Sequence, residues 1–451
     1  MTLAAMLAAC DRAPLSGGNV LLITVDTLRA DRVGAYGSHV HTPGMDRLAT
    51  EGVLFSQAFS VAPTTLAAHA SMFTGRYPRD VGVVRNGFAL GEAQETVAEI
   101  FQREGRRTAA FISSYAVDPR WGLAQGFEEY DAQYGVHEAL DQDWRPASQT
   151  IDAALNWLRD HDGEESFVWV HLFEPHFPYE PPPPFDTLYA LDPDVAIDGS
   201  METILSVWSG ERVLTDAEAQ RITALYEGEI AWLDVEISRL LDHLAGDGRL
   251  ENTWVVLASD HGESLGEHDY WFDHGKHLYD TDLRVPLLIR PPDGLEGAPR
   301  GKTIETTVRT MDLAPTLLDL GGVTFDAQVP AASLLPCLLG RGSCLDRPLW
   351  AEATKPHRVE ATRGWPNAPK AHAVRADGWK LIRTPYLARV ELYDVVADPA
   401  EETSLSNSPG AQVERDRLES QMGEWRTRPT AAPERPDSEQ LRRLRALGYI
   451  D

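Results

Sequence analysis

The sequence predicts an α/β protein with a central, mostly parallel sheet that helices cover on both faces. Two observations lead to this fold class. Short apolar runs alternate with segments of helical periodicity, an order that is typical of parallel sheets. The chain has 451 residues, of which 43% are hydrophobic, which is enough for one large α/β domain and a smaller appendage.

Five apolar runs are predicted to be strands of this sheet. They cover residues 20–25, 108–113, 167–173, 253–259 and 286–290. The clearest helix begins at Thr215, where Thr215 and Glu218 form a capping box, and Gly246 is expected to end it. From about residue 346 the pattern changes, and residues 372–395 predict two or three short strands of a small antiparallel sheet.

The first ten residues, MTLAAMLAAC, resemble a bacterial lipoprotein signal in which Cys10 is the lipidated residue. The apolar run is short and no basic residue precedes it, so a disordered apolar tail is the alternative. No run approaches the 18 apolar residues of a membrane-spanning helix. We therefore expect an exported protein, either periplasmic or anchored to a bacterial membrane through Cys10.

The net charge of −28 argues against nucleic acids and anionic lipid surfaces as main partners. An anionic substrate would need local cations or a metal ion at its binding site. Export would allow Cys337 and Cys344 to form a disulfide, and two free thiols are the alternative.

Two acids and a histidine follow directly after two of the predicted strands. Asp26 ends the run NVLLITVD, and Asp260 and His261 follow the run VVLAS. In open α/β sheets, ligands bind outside the carboxyl ends of the strands. Carboxylate and imidazole groups suit a divalent metal ion. These residues make a metal-dependent hydrolase the first hypothesis.

A second group of chemical interest lies in the segment APTTLAAHASMFTGRYP. Thr64 and Thr65 precede a helix-forming run that Gly75 closes, so one of them stands at a helix N-terminus. A simple N-cap is one interpretation. The other is a nucleophile, because the free N–H groups of a helix N-terminus can hold an oxyanion and a metal ion lowers the pKa of a hydroxyl group.

With these motifs in view, the chain resembles the sulfatase family of the alkaline phosphatase superfamily. The matching stretches are NVLLITVDTLRADRVGAYG, HASMFTGRYP, FEPHFPYEPP, SDHGESLGEH, HGKHLYDTDLRVPLLIRPP, MDLAPTLLDLGG, WKLIR and ELYD. The resemblance implies an alkaline phosphatase-like fold. It also implies three parts, namely a signal and linker over 1–18, a catalytic domain over 19–345 and a C-terminal subdomain and tail over 346–451.

The resemblance also implies roles for single residues. Asp26, Asp260 and His261 match metal ligands, although Thr27 stands where many family members have a further acid. His176 in EPHFPY matches a histidine near the leaving group, and Lys276 in HGKHLYD matches a lysine that holds a substrate oxygen. His274, next to this lysine, is a weaker candidate for substrate binding.

The chain departs from the family at position 65. Sulfatases carry Cys or Ser there, within C/S-x-P-S-R, and convert it to formylglycine, whereas this chain has Thr65 followed by Ala67, Ala68 and His69. The resemblance therefore implies that no formylglycine forms. His69 lies one helical turn after Thr65 and is expected to support it or to help bind a substrate oxygen.

Threonine is the nucleophile in another branch of the superfamily, the nucleotide pyrophosphatase/phosphodiesterases. The order of Thr65, the T-G pair at 74–75, the Y-P pair at 77–78 and Asn86 resembles the pattern of that branch. This makes Asn86 a candidate donor to the oxyanion. With Thr65 as a nucleophile and a further metal ligand, His176 would protonate the leaving oxygen.

The sequence thus predicts a hydrolase of a phosphate- or sulfate-type ester, with phosphodiesters or phosphonates slightly favoured. A sulfuric ester hydrolase of the arylsulfatase type, a phosphoglycerol or phosphoethanolamine transferase and an inactive binding protein are the alternatives. The metal ion could be Ca²⁺, Mn²⁺ or Zn²⁺, because the donors are oxygens with one nitrogen. The substrate would be a small-molecule, glycan or lipid ester.

Overall fold

A computed structural model describes residues 18–134, 136–137, 142–192, 194–324, 328–344, 346–354, 370–428 and 430–432, together with residues 438 and 442. The signal-like segment with Cys10 lies outside the described residues. Within the described part of the chain, no helix has both the length and the apolar character needed to cross a bilayer.

The described strands, in chain order, are β1 (Asn19–Val25), β2 (Val53–Phe55), β3 (Ala58–Phe59), β4 (Arg107–Ile112), β5 (Glu129–Asp131), β6 (Val136–His137), β7 (Gln142–Asp143), β8 (Ser166–Leu172), β9 (Thr253–Ser259), β10 (Ser264–Leu265), β11 (Trp271–Asp273), β12 (Leu287–Arg290), β13 (Lys302–Ile304), β14 (Val308–Arg309), β15 (Leu349–Ala353), β16 (Ala371–Ala376), β17 (Trp379–Thr384) and β18 (Arg389–Asp394).

The described α-helices are α1 (Pro43–Glu51), α2 (Thr65–Thr74), α3 (Pro78–Val81), α4 (Val97–Arg103), α5 (Ala147–Asp160), α6 (Met201–Trp208), α7 (Asp216–Gly246), α8 (Asp280–Leu283), α9 (Leu313–Leu320), α10 (Leu335–Leu338) and α11 (Gln412–Arg426).

The central sheet has eight strands in the order β13-β2-β12-β9-β1-β8-β4-β5. The strand pairs β9-β1, β1-β8, β8-β4 and β4-β5 are parallel, which confirms the predicted α/β architecture. β12 runs antiparallel to β9 because the chain returns between them without a long crossover helix. The first strand of the chain, β1, therefore lies in the interior of the sheet.

Alternate side chains of the central strands pack into two separate cores, one on each face of the sheet. On β1, Val20 and Leu22 face the layer formed by α2, α4 and α9. Leu21, Ile23 and Val25 face the layer formed by α1, α5 and α7. This alternation follows from the two-residue period of a strand, and it leaves the carboxyl ends of the strands as the place for polar groups.

Helix α7 begins as the sequence predicts and ends slightly later. The Thr215 side chain accepts a hydrogen bond from the Glu218 backbone, and the capping box is complete. Gly246 is the last helical residue rather than the stop. Gly248, two residues further on, takes the left-handed conformation with φ of 70°, which glycine adopts without strain.

A separate four-stranded antiparallel sheet, in the order β15-β16-β17-β18, follows the main body. Its last three strands lie in the segment where the sequence predicts two or three. β15 was not predicted, since LWAEA contains alanines and a glutamate that give little strand signal. The predicted division of the chain at 345 and 346 remains a prediction. Nearby, Cys337 and Cys344 form a disulfide with their Cα atoms 5.0 Å apart.

Candidate active site

The strand-end residues Asp26, Asp260 and His261 come together at the carboxyl edge of the central sheet. β1 and β9 are parallel neighbours whose last residues, Val25 and Ser259, are register partners. Asp26 and Asp260 therefore leave the sheet side by side. One potential ligand atom from each of the three residues lies within 4.8 Å of the others, and all three side chains are buried.

The hydrogen bonds around this group leave its ligand atoms directed at one another. His261 donates from Nδ1 to the Gly262 carbonyl at 2.9 Å, so its Nε2 carries the electron pair. That Nε2 lies 3.7 Å from Asp26 Oδ1 and 3.6 Å from Asp260 Oδ2. Within the described residues, both carboxylate oxygens of Asp26 and Oδ2 of Asp260 have no hydrogen-bond partner.

Burying a carboxylate oxygen that has no hydrogen-bond partner costs free energy, and the pKa values of Asp26 and Asp260 reflect this cost. Burial raises the pKa of Asp26 well above its usual range, and the charges of Asp260 and Glu263 raise it further. Burial also raises the pKa of Asp260 to about 6. A divalent cation would reverse both effects, and the two carboxylates with one imidazole are a donor set that fits such an ion.

Thr65 contributes a hydroxyl group to this candidate metal centre. It is the first residue of α2, and Thr64 before it is the N-cap, with φ of −144° and ψ of 139°. Thr65 Oγ1 lies 3.3 Å from His261 Nε2 and is positioned to donate to it. The Thr64 side chain makes no capping bond. The residue pattern alone does not decide between Thr64 and Thr65, and in the structure Thr65 lies against the candidate metal ligands.

Asn86 lies beside the same helix N-terminus. Its Oδ1 accepts a hydrogen bond from the Leu66 backbone at 2.8 Å. Its Nδ2 is buried and has no hydrogen-bond partner among the residues described. The side-chain oxygen of Asn86 therefore binds one backbone N–H group at the helix N-terminus. Its Nδ2 group stays available to donate to an oxyanion.

His69 has a supporting place below Thr65. Its Nδ1 donates to the Thr65 carbonyl at 2.8 Å, and its Nε2 lies 3.0 Å from Thr24 Oγ1. Burial lowers the pKa of His69, which favours the neutral ring. Because both ring nitrogens have protein partners, the supporting role fits His69 better than the binding of a substrate oxygen.

His176 and His274 lie next to the ligand group on its other side. The His274 ring is 4.4 Å from the His261 ring and 5.2 Å from the His176 ring, between centroids. His176 donates from Nδ1 to the Phe177 carbonyl at 2.7 Å, and His274 Nδ1 lies 3.2 Å from Glu263 Oε1. The three histidines thus form one buried row.

Lys276 is close in the chain to this row and makes an ion pair. Its Nζ lies 2.8 Å from Asp273 Oδ2, and its side chain is 12% exposed. Asp273 thus holds the ammonium group of Lys276. The role of Lys276 toward a substrate oxygen stays a prediction.

Two residues of the site, Glu263 and His171, escaped the sequence analysis, and a third, Thr27, has an unusual backbone conformation. Glu263 is buried beside His274, and His171 Nε2 lies 3.9 Å from Asp26 Oδ2. Thr27, next to Asp26, has φ of 55°, which is rare for a β-branched residue and typical of functional sites. A usable signal existed for His171, which is a lone polar ring inside the apolar strand β8.

Two family models match this chain. Residues 18–323 match the family model described as Sulfatase. Residues 266–428 match a second model, described as the C-terminal part of N-sulphoglucosamine sulphohydrolase.

Individual relatives share about a quarter of their residues with this chain. An N-acetylglucosamine-6-O-sulfatase of Bacteroides thetaiotaomicron is 26% identical, over 86% of this chain and 82% of its own. An arylsulfatase of Clostridium perfringens is 26% identical, over 72% and 79%. The crystal structure of a phosphonate monoester hydrolase of Agrobacterium radiobacter has the same fold, with a TM-score of 0.73 and 24% identity, over 91% and 95%.

Proposed function

This chain belongs to the sulfatase family, and from that premise we propose that it hydrolyses a phosphate- or sulfate-type ester through Thr65 and a divalent metal ion. Enzymes of this family act on ester bonds. The observation that carries the proposal is the 3.3 Å distance between Thr65 Oγ1 and His261 Nε2 at a group of buried carboxylates.

Asp26, Asp260 and His261 would hold the metal ion. When bound, such an ion neutralises charge on the substrate oxygens and lowers the pKa of a nearby hydroxyl group. Thr65 Oγ1 loses its proton to solvent and attacks phosphorus or sulfur, and the bond to the leaving oxygen breaks. His176, protonated at both ring nitrogens, gives the leaving oxygen its Nε2 proton, and the Nδ2 group of Asn86 donates to an oxygen that gains charge. Water then hydrolyses the ester on Thr65.

The threonine favours phosphorus over sulfur. A formylglycine hydrate expels sulfate by elimination from its second hydroxyl group. A threonine ester has no second hydroxyl group and must be hydrolysed at the central atom. In-line attack at phosphorus is a common route for this step. Sulfate esters are the second candidate, because the N-acetylglucosamine-6-O-sulfatase and the arylsulfatase align over most of this chain.

The first experiment measures the rates at which the metal-reconstituted protein hydrolyses four matched nitrophenyl substrates, namely a sulfate ester, a phosphate monoester, a phosphodiester and a phosphonate. We expect turnover of the phosphorus esters and a loss of at least about a thousandfold in Thr65→Ala. Thr64→Ala is the matched control, because it removes a buried threonine hydroxyl one residue away. It should retain activity within about tenfold.

The outcomes separate the candidates. Turnover that survives in Thr65→Ala would rule out the assigned nucleophile. Preference for the sulfate ester, lost in Thr65→Ala, would mean that threonine supports sulfuryl transfer here and that the argument for phosphorus is wrong.

A further inference from the structure

A buried set of side chains beneath the nucleophile has no role in the steps above. Thr24 on β1 and His171 on β8 are register partners in adjacent strands. Trp169 and His69 complete the set, and all four side chains are fully buried. The hydroxyl group of Thr24 is the hub, because Trp169 Nε1, His69 Nε2 and His171 Nδ1 lie 2.8, 3.0 and 3.4 Å from its oxygen.

The chemistry of the partners fixes most of the hydrogen positions. A carbonyl only accepts, so the bond to the Thr65 carbonyl places a hydrogen on His69 Nδ1. A neutral His69 ring then accepts at Nε2, and Thr24 must donate to it. The indole nitrogen of Trp169 only donates, so Thr24 accepts that bond.

The single hydrogen of the Thr24 hydroxyl group is thus donated to His69, and none remains for a bond to His171. His171 can bond to Thr24 only by donating from Nδ1 to the remaining electron pair of the oxygen. The two histidine rings are fully buried and 5.0 Å apart, which disfavours a charge on either of them. A neutral His171 then has an unprotonated Nε2. That atom lies 3.9 Å from Asp26 Oδ2 and makes no hydrogen bond within the described residues.

We propose that Thr24 is a positioning residue of the site. Its hydroxyl group holds His69 against the carbonyl of Thr65, and it turns the electron pair of His171 Nε2 toward Asp26, beside the candidate cation site. The inference rests on the proposed metal centre. An electron pair that faces a buried carboxylate is repulsive by itself, and a nearby divalent cation makes the arrangement favourable. Groups that orient ligands in this way commonly affect metal affinity by 10- to 100-fold.

The test uses Mn²⁺ as the probe and isothermal titration of the metal-free, full-length protein. Thr24→Val keeps the shape of the side chain and removes its hydrogen bonds, whereas Thr24→Ser keeps the hydroxyl group. We expect Thr24→Val to weaken Mn²⁺ binding at least about tenfold and Thr24→Ser to bind within about threefold of the wild type. In the loaded enzyme, Thr24→Val should lower kcat and leave KM nearly unchanged.

His171→Phe provides the second arm. It should weaken Mn²⁺ binding as Thr24→Val does, and the double variant should lose little more, because the two residues act as one unit. Binding by Thr24→Val within about twofold of the wild type would overturn the inference. A wild-type protein that binds no Mn²⁺ would overturn it together with the metal site. Hydrolysis that persists in Thr65→Ala would overturn the nucleophile alone.

A measurement on the wild type covers the case in which Thr24→Val fails to fold. Selective ¹⁵N labelling of the 14 histidines reports which ring nitrogen carries the hydrogen. His171→Phe assigns the His171 signal by its loss. We expect a neutral His171 protonated at Nδ1, and protonation at Nε2 would contradict the inference.

Discussion

The chain needs a glycine at position 262, directly after the ligand pair Asp260 and His261. A Cβ atom there would lie 2.0 Å from the carbonyl oxygen of Thr281, so no other residue fits without moving the backbone. The carbonyl of Gly262 also accepts the Nδ1 hydrogen of His261. This single position thus sets both the path of the chain after Asp260 and the orientation of the His261 ring.

Asn86 combines a structural and a chemical group, and a substitution can separate them. Asn86→Asp keeps an acceptor for the Leu66 backbone and loses the Nδ2 donor, whereas Asn86→Ala loses both. We expect both variants to lower kcat about 10²- to 10³-fold. Asn86→Asp should keep more thermal stability, because an anion suits a helix N-terminus. Wild-type kcat in Asn86→Asp would exclude Asn86 as an oxyanion donor.

Glu174 predicts a pH dependence of stability. Burial raises its pKa from 4.5 to about 7, so the folded state favours the protonated form. The resulting stabilisation is complete below pH 4.5 and is lost as the pH rises through 7, with an upper bound of about 3 kcal/mol. Glu174→Gln should therefore be more stable than the wild type at pH 8 and similar at pH 4.5. Denaturant unfolding at both pH values measures this, and an equal difference at both would contradict the assignment.

Among the elements, the strands with continuous apolar runs could be predicted from the sequence. β9 spans 253–259 as expected, and β1, β4 and β8 differ by one residue at their ends. Such runs carry their signal locally, because both faces of a central strand are buried. β2 and β13 have three residues each and could not be predicted, since their place depends on pairing with distant strands.

The candidate site shows the same limit. Asp26, Asp260 and His261 could be found because each follows a predictable strand. Thr24 and His171 lie inside strands, where the neighbouring residues in the sequence do not show which residue a polar side chain contacts. Their meeting depends on the register between β1 and β8, which are far apart in the chain.

A cross-link between α10 and the segment that follows it should have a measurable effect on stability. The disulfide between Cys337 and Cys344 closes a short loop, for which the loss of loop entropy in the unfolded chain corresponds to about 2.5 kcal/mol. We expect a reductant to lower Tm by a few degrees. The Cys337→Ser/Cys344→Ser double variant should have the lower Tm and no response to reductant. A wild-type Tm that is insensitive to reductant would argue against the bond.

For the whole molecule, buried ion pairs join the C-terminal sheet to the main body. Lys380 on β17 lies 2.7 Å from Asp280 and 2.6 Å from Glu401, and its side chain is 1% exposed. Arg375 on β16 also contacts Asp280 at 2.8 Å. Asp280 begins α8, a few residues after Lys276. The small sheet therefore buttresses the segment that carries part of the candidate site.

Metal removal tests the centre in the intact protein. Three carboxylate oxygens, both of Asp26 and Oδ2 of Asp260, are buried without hydrogen-bond partners among the described residues and should destabilise the metal-free fold. We expect a chelator to abolish hydrolysis and lower Tm, and excess ion to restore both. At 100 times the Kd, binding corresponds to about 2.7 kcal/mol. Asp260→Asn should respond much less to the ion, and an unchanged wild-type Tm on chelation would contradict the assignment.

The interior place of β1 has a consequence for the synthesis of the protein. β1 is synthesised well before its two neighbours, β8 and β9, which begin at residues 166 and 253. A ribosome adds about 5–20 residues each second, so both sides of β1 wait unpaired for many seconds. Truncated chains that lack β9 and the residues after it cannot form the candidate metal centre. Nascent chains of this protein should depend strongly on chaperones that shield unpaired apolar segments.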